Sequence, residues 1–115
     1  MDRLEACLDE LDKVEGPACL VTFSKSKFFG TGFDLATFKH DASLVVTHFQ
    51  NIIGRILTLP MATMCVINAH AIAGGLLIAL AHDFRIMTTN PKVILCMSEI
   101  DLGIPFPIPI SVLLR

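Results

Sequence analysis

Three short stretches of this chain hold residue types that could do chemistry, and they lie far apart in sequence. The first is Phe29-Gly30-Thr31-Gly32-Phe33-Asp34. Glycines let backbone approach a ligand closely and reach positive φ, although an ordinary tight turn uses the same residues. The second is Ala73-Gly74-Gly75, at the opening of an apolar run. Amide N–H groups at a helix start lack partners within the helix and form a ready anion or oxyanion site. Close packing against a neighbouring strand is the other use of such glycines. The third is Met97-Ser98-Glu99-Ile100, a single carboxylate among apolar residues. Such a glutamate caps a neighbour, pairs with a cation such as Arg85, or works as a base, since withdrawal from water strengthens a carboxylate as proton acceptor. No second acidic residue lies between Gly74 and Ala81, so a paired-carboxylate site is not visible there.

Other chemistries find little support. Neither G-x-x-x-x-G-K-[ST] nor G-x-G-x-x-G occurs. Ser98 and Ser111 stand outside any G-x-S-x-G. His40, His48, His70 and His82 lack metal-ligand spacing, so no metal site is expected. His82-Asp83 reads as a cation at a helix C-terminus, followed by a turn.

The elements that must position these residues follow from periodicity. Leu4, Cys7, Leu8 and Leu11 recur at helical spacing, and Gly16-Pro17 stops that helix. Ala18 to Phe23 scarcely alternates and predicts a buried strand. Ser24 to Gly32 reads as a loop. Ser43 to Thr58 predicts a helix with a wide apolar face carrying Leu44, Val45, Phe49, Ile52, Ile53, Ile56 and Leu57, closed by Pro60. Met61 to Asn68 predicts a second buried strand, turning at Asn68-Ala69-His70 and leading through Gly74-Gly75 into a short helix ending near His82. Phe84 to Met87 and Val93 to Cys96 read as two strands joined by a turn at Thr89-Asn90-Pro91. Pro105, Pro107 and Pro109 force an extended path, with a helix restarting after Pro109. This order is that of an α/β fold with right-handed crossovers.

At 115 residues the chain has the length of one domain, 1–115. It is 53% apolar and only 17% charged, more apolar than a small domain can bury by itself. That excess predicts association, or a slice of a larger fold. A net charge of −2 without a basic run gives no case for nucleic acid. Cys7, Cys19, Cys65 and Cys96 lie apart within apolar stretches and read as buried free thiols of a reducing compartment. The N-terminal residues lack the layout of a signal peptide. The apolar run from Ala71 to Ala81 is shorter than the ~20 residues that cross a bilayer, so no membrane span is expected.

Taken in order, Gly30-Thr31-Gly32-Phe33-Asp34-Leu35, the run from Leu59-Pro60 through Asn68-Ala69-His70 to Gly74-Gly75, His82-Asp83-Phe84-Arg85 and Met97-Ser98-Glu99-Ile100-Asp101-Leu102-Gly103 resemble the crotonase (enoyl-CoA hydratase/isomerase) superfamily. The nearest branch is the peroxisomal-type Δ3,Δ2-enoyl-CoA isomerases. No one motif is decisive; the ordered set is fairly specific. The resemblance implies a partial crotonase-like ββα spiral acting on an acyl-CoA thioester, in unsaturated fatty-acid β-oxidation. It implies no cofactor beyond the coenzyme A of the substrate, a homo-oligomer (a trimer in the family), and a peroxisomal location. The Thr31 and Gly74 N–H groups match the oxyanion hole, and Glu99 matches the glutamate that moves a proton between C2 and C4. Gly30, Thr31, Gly32, Phe33 and Asp34 would line the substrate. Leu77 would also line it, standing where hydratases carry a second glutamate. The family pattern further implies strands before Met1 and helices after Arg115. Two other readings stay open: a hydratase or other thioester enzyme, and a non-catalytic truncated paralogue that binds partner subunits.

Overall fold

The computed structural model describes every residue except Leu35, Ala36, Thr37, Lys39, Leu102, Ile104 and Arg115. The chain order is α1 (Asp2–Leu11), β1 (Cys19–Phe23), β2 (Phe28–Gly30), α2 (Ala42–Thr58), β3 (Ala62–Ile67), β4 (His70–Ile72), α3 (Gly74–Leu80), β5 (Phe84–Met87), β6 (Leu95–Cys96), α4 (Ser98–Asp101) and α5 (Ile108–Leu113). Odd strands form one parallel sheet, β1-β3-β5, and even strands another, β2-β4-β6. Each pass of the chain therefore lays one strand in each sheet before a helix returns it, which is the expected ββα spiral. Parallel neighbours require such crossovers.

The long helix forms where the 3.6-residue stripe predicts it. Asp41 caps α2 by accepting the Leu44 N–H at 3.0 Å. Val45, Phe49, Ile52, Ile53 and Ile56 are buried on one side of the helix. All but Val45 meet Leu8 of α1, Leu77 and Ala81 around α3, and Ile110 of α5 in the main core. α1 is further tied to α2 by Arg55, which reaches Asp9 at 2.8 Å and Asp12 at 2.6 Å, and by His48 against Glu5 at 2.6 Å. No helix among the described residues is long and apolar enough to cross a membrane.

Several expectations are corrected. Ser24 to Gly32 is not all loop, because Phe28–Gly30 pairs with β4, and β4 itself was not foreseen. Strands of three residues are too short to show a period. β5 and β6 are both strands as expected, but they lie in different sheets, and the second is shorter than expected. β1 is a strand but not a buried one. It lies at the edge of its sheet, and Cys19, Val21 and Phe23 are exposed, the last two at 48% and 55%. The register sets Val21 beside Met64 and Phe84, and Phe23 beside Val66 and Ile86. An apolar face thus points away from the helices, while Thr63, Cys65 and Ile67 fill the other side. The thiols divide likewise. Cys65 is buried and Cys96 partly so, but Cys7 and Cys19 are exposed.

Candidate active site

The two glycine stretches meet. β2 ends at Gly30 and α3 begins at Gly74, and pairing of β2 with β4 brings the two points together. A Cβ placed on Gly75 would stand 2.5 Å from the Gly30 carbonyl carbon and oxygen, and one on Gly30 would stand 2.7 Å from Gly75 Cα. Gly32, at φ +87°, passes close to Ala73 and, less tightly, to Gly74. A Cβ there would be 2.8 Å from Ala73 Cβ and 3.3 Å from the Gly74 nitrogen. The close-packing explanation of these glycines is therefore true, and it leaves the first amides of α3 facing a neighbouring loop of bare backbone.

Ala73 sharpens the turn. It sits at φ 51°, ψ −126°, a conformation that residues with a Cβ rarely adopt. Its N–H donates to the Cys96 carbonyl at 2.8 Å, and its own carbonyl accepts the N–H groups of Leu76 and Leu77. The N–H groups of Gly74 and Gly75 have no backbone acceptor among the described residues. No side-chain pattern in the sequence marks Ala73 for this role.

These backbones line a cavity of about 550 Å³, with Gly30, Gly32, Phe33, Asp34, Gly74 and Gly75 in its wall beside Val45, Phe49 and Ile78. Of the expected substrate-lining residues, Thr31 is not in this wall and is exposed. The Asp34 carbonyl accepts the Phe38 N–H at 2.9 Å. Leu35, which closes the first motif, lies outside the described residues.

Glu99 stands in a second, smaller cavity of about 50 Å³, bounded by Phe33, Phe49, Leu77, Phe106 and Ile110 among others. Its Oε2 atom is buried and has no hydrogen-bond partner among the described residues. Of the apolar neighbours expected around the carboxylate, Met97, Ile100 and Leu102, Met97 packs against the main core but Ile100 does not shield it. Ile100 is 69% exposed, and Leu102 lies outside the described residues. The apolar shell comes instead from α2, α3 and the Pro105–Pro107 segment. Pairing with Arg85 does not occur, since that guanidinium donates to the carbonyls of Leu80 and His82. Phe33 and Phe49 meet edge to face at 5.0 Å and line both cavities.

His82 is not the cation expected at the helix end. It is buried, at 3% exposure. Its Nδ1 lies 2.8 Å from the Ile78 carbonyl, which only accepts, so Nδ1 carries the proton. Nε2 then accepts from the Thr22 hydroxyl at 2.8 Å. Burial pushes its pKa down, with the Ile78 carbonyl opposing and the nearby Arg85 adding to the fall. Next to it, Asp83 accepts the Thr63 N–H at 2.8 Å and its hydroxyl at 2.9 Å, and these bonds hold its pKa below the usual value. Burial raises the Cys65 thiol to about 11. Among the described residues no three of His, Cys, Asp and Glu gather as a metal site would require.

The sequence from residue 2 to 113 matches the family model described as enoyl-CoA hydratase/isomerase. The chain belongs to the enoyl-CoA hydratase/isomerase family. It is 37% identical over 105 residues to the peroxisomal enoyl-CoA delta isomerase 2 of Arabidopsis thaliana, covering 84% of this chain and 43% of that protein. To enoyl-CoA delta isomerase 3 of the same plant it is 40% identical over 95 residues, covering 76% and 40%. The crystal structure of human mitochondrial delta3-delta2-enoyl-CoA isomerase superposes with a TM-score of 0.84 at 25% identity, over 98% of this chain and 47% of that one. This member of the family thus spans less than half the length of these relatives.

Proposed function

We propose that this chain carries the site of a Δ3,Δ2-enoyl-CoA isomerase, with Glu99 as its one acid–base group. The observation that carries the reading is Glu99 Oε2, buried and unpartnered in an apolar cavity that shares Phe33 and Phe49 with the glycine-lined one. Glu99 takes a proton from C2 of a 3-enoyl thioester. The electron pair moves toward the thioester oxygen, where the N–H groups of Gly74 and Thr31 receive the charge. The same carboxyl returns the proton to C4, leaving the double bond between C2 and C3. No redox group or metal is needed for this balance, and coenzyme A enters only as part of the substrate. The similarity to delta isomerases supports the assignment, as does Leu77 in the wall beside Glu99. Hydration calls for a second group to hold the water, and leucine cannot do so. A place in fatty-acid β-oxidation follows from the reaction. A peroxisomal location draws on the similarity to the peroxisomal plant isomerase.

The exposed apolar face of β1-β3-β5 favours a second reading, in which the chain acts by assembling with further copies of itself or with partner subunits.

Glu99→Gln decides between them. Gln keeps the shape but cannot accept the proton, so isomerisation of 3-enoyl-CoA should fall about 10²–10⁴-fold or more. Thioester binding measured by calorimetry should survive. Hydration of 2-enoyl-CoA should be negligible in wild type. Full turnover in Glu99→Gln, or hydration matching isomerisation, refutes the isomerase; absence of thioester binding leaves the assembly reading.

A further inference from the structure

We infer that the Glu99 cavity admits only short acyl chains and that Phe106 sets the limit, an inference that rests on the thioester reading above. If one carboxylate serves both C2 and C4, those carbons must lie beside Glu99, and the rest of the acyl chain continues from there. The space at Glu99 is about 50 Å³. A single water needs on the order of 10–15 Å³ of such room, so the space holds only a few carbons of the chain.

The far wall is Pro105, Phe106, Pro107 and Ile110. It is a stiff wall. Proline fixes φ at two of these positions, and the Ser111 N–H donates to the Pro107 carbonyl at 3.0 Å. The Ser111 hydroxyl lies 3.3 Å from the same carbonyl and 3.5 Å from that of Phe106. Ile110 is locked in the core at 3% exposure. Phe106 is half-buried against that core, and its ring is the largest removable group in the wall. Phe33, Phe49 and Leu77 are poorer candidates for setting length, because they also border the glycine turn or fill α3.

The test measures Kd for butanoyl-, hexanoyl- and octanoyl-CoA on the full chain, in wild type and in Phe106→Ala, with Phe106→Leu as a milder partner should the alanine variant fold poorly. Each buried methylene is worth about fourfold in affinity. Wild type should gain from butanoyl to hexanoyl and then stop, with octanoyl within about twofold of hexanoyl. In Phe106→Ala the octanoyl thioester should bind about fifteenfold tighter than the hexanoyl, and in Phe106→Leu by an intermediate ratio. Comparing chain lengths within one variant cancels any general loss of folded protein. A wild type that gains steadily to octanoyl, its tail turning into the larger cavity, overturns the proposal. So do variants with the wild-type ratio. Binding that follows the predicted lengths without isomerisation refutes the enzyme and keeps the limit, whereas failure of every thioester to bind removes both.

Discussion

The two ends of α3 are held by opposite means. At its start, Gly74 and Gly75 press bare backbone against Gly30 and Gly32, and no side chain of that turn is spent on a hydrogen bond. Just past its end, His82 and Asp83 are bound through Thr22 and Thr63 to two strands of the other sheet. The start gains its precision from what is missing and leaves amide donors available. The end gains its precision from polar atoms that satisfy one another, which leaves nothing over for a ligand. A short helix with few turns of its own needs such anchoring, because helices this brief are not stable alone. The difference indicates which end does chemistry and which end holds it in place.

The sharpest way to break this comparison is Gly75→Ala. The new methyl would stand 2.5 Å from the Gly30 carbonyl, and that obstacle is backbone, so it cannot swing aside. The end of β2 and the start of α3 would have to part there. Overpacking of this kind costs about 1–3 kcal/mol, and against backbone the upper part of that range or more is expected. Gly74→Ala should be milder, because its methyl would meet Gly32 Cα and the Phe49 ring only at 3.3 Å. Urea midpoints of the two variants check the order. Equal losses would show that the seam yields at both positions and is not a tight fit.

Part of this was legible in the sequence. Both glycine stretches and Glu99 could be marked from residue type alone, and α2 could be drawn to within a residue from its apolar spacing and Pro60. That the two stretches touch could not be read, because it depends on β2 and β4, each three residues long. The surroundings of Glu99 were misjudged for a related reason. Neighbours in sequence were expected to bury it, but α4 turns Ile100 outward, and the shell is built from Phe33, Phe49, Leu77 and Phe106. His82 went wrong in the same way. Its place after a helix suggested a cation near the dipole, and nothing local reveals Thr22, which lies sixty positions earlier in the chain. Resemblance to a family supplied the order of the motifs, while local pattern supplied only the pieces.

Thr63→Val tests the polar end at moderate strength. Thr63 is buried at 2% exposure, its hydroxyl donates to Asp83 Oδ2, and the Asp83 N–H donates back to that hydroxyl at 2.9 Å. Valine keeps the shape and removes both bonds, for a loss of about 1–3 kcal/mol near neutral pH. The loss should shrink in acid. Asp83 has its pKa depressed chiefly by the Thr63 N–H, then by the hydroxyl. Its stabilising effect is present above the ordinary value of 3.8 and disappears as pH falls through the lower, folded value. Denaturation of wild type and variant should therefore converge as pH falls below 3.8. A constant gap would show that the hydroxyl acts through the bond it accepts from the Asp83 N–H and through packing, not through the carboxylate.

The smallest effect expected is at His82, and it is the one that separates a buried neutral histidine from an ordinary helix-end cation. Folding lowers its pKa from 6.5, with burial the main cause. In the interval between the folded and unfolded values the unfolded chain binds a proton that the folded one refuses. Stability is thus complete above pH 6.5 and declines as pH falls below it, by at most about 1.4 kcal/mol for each unit. A helix-end cation would give the opposite sign, growing more stabilising in acid. His82→Gln removes this titration while keeping an amide that can still reach Ile78 or Thr22. The variant should be less stable than wild type at pH 7.5, and the gap should narrow by pH 5.5. The other histidines, including His48 beside Glu5, are common to both proteins and cancel in the difference. A gap that widens in acid would mean that His82 is charged in the folded chain, and the polar end of α3 would then have to be redrawn around an ion pair.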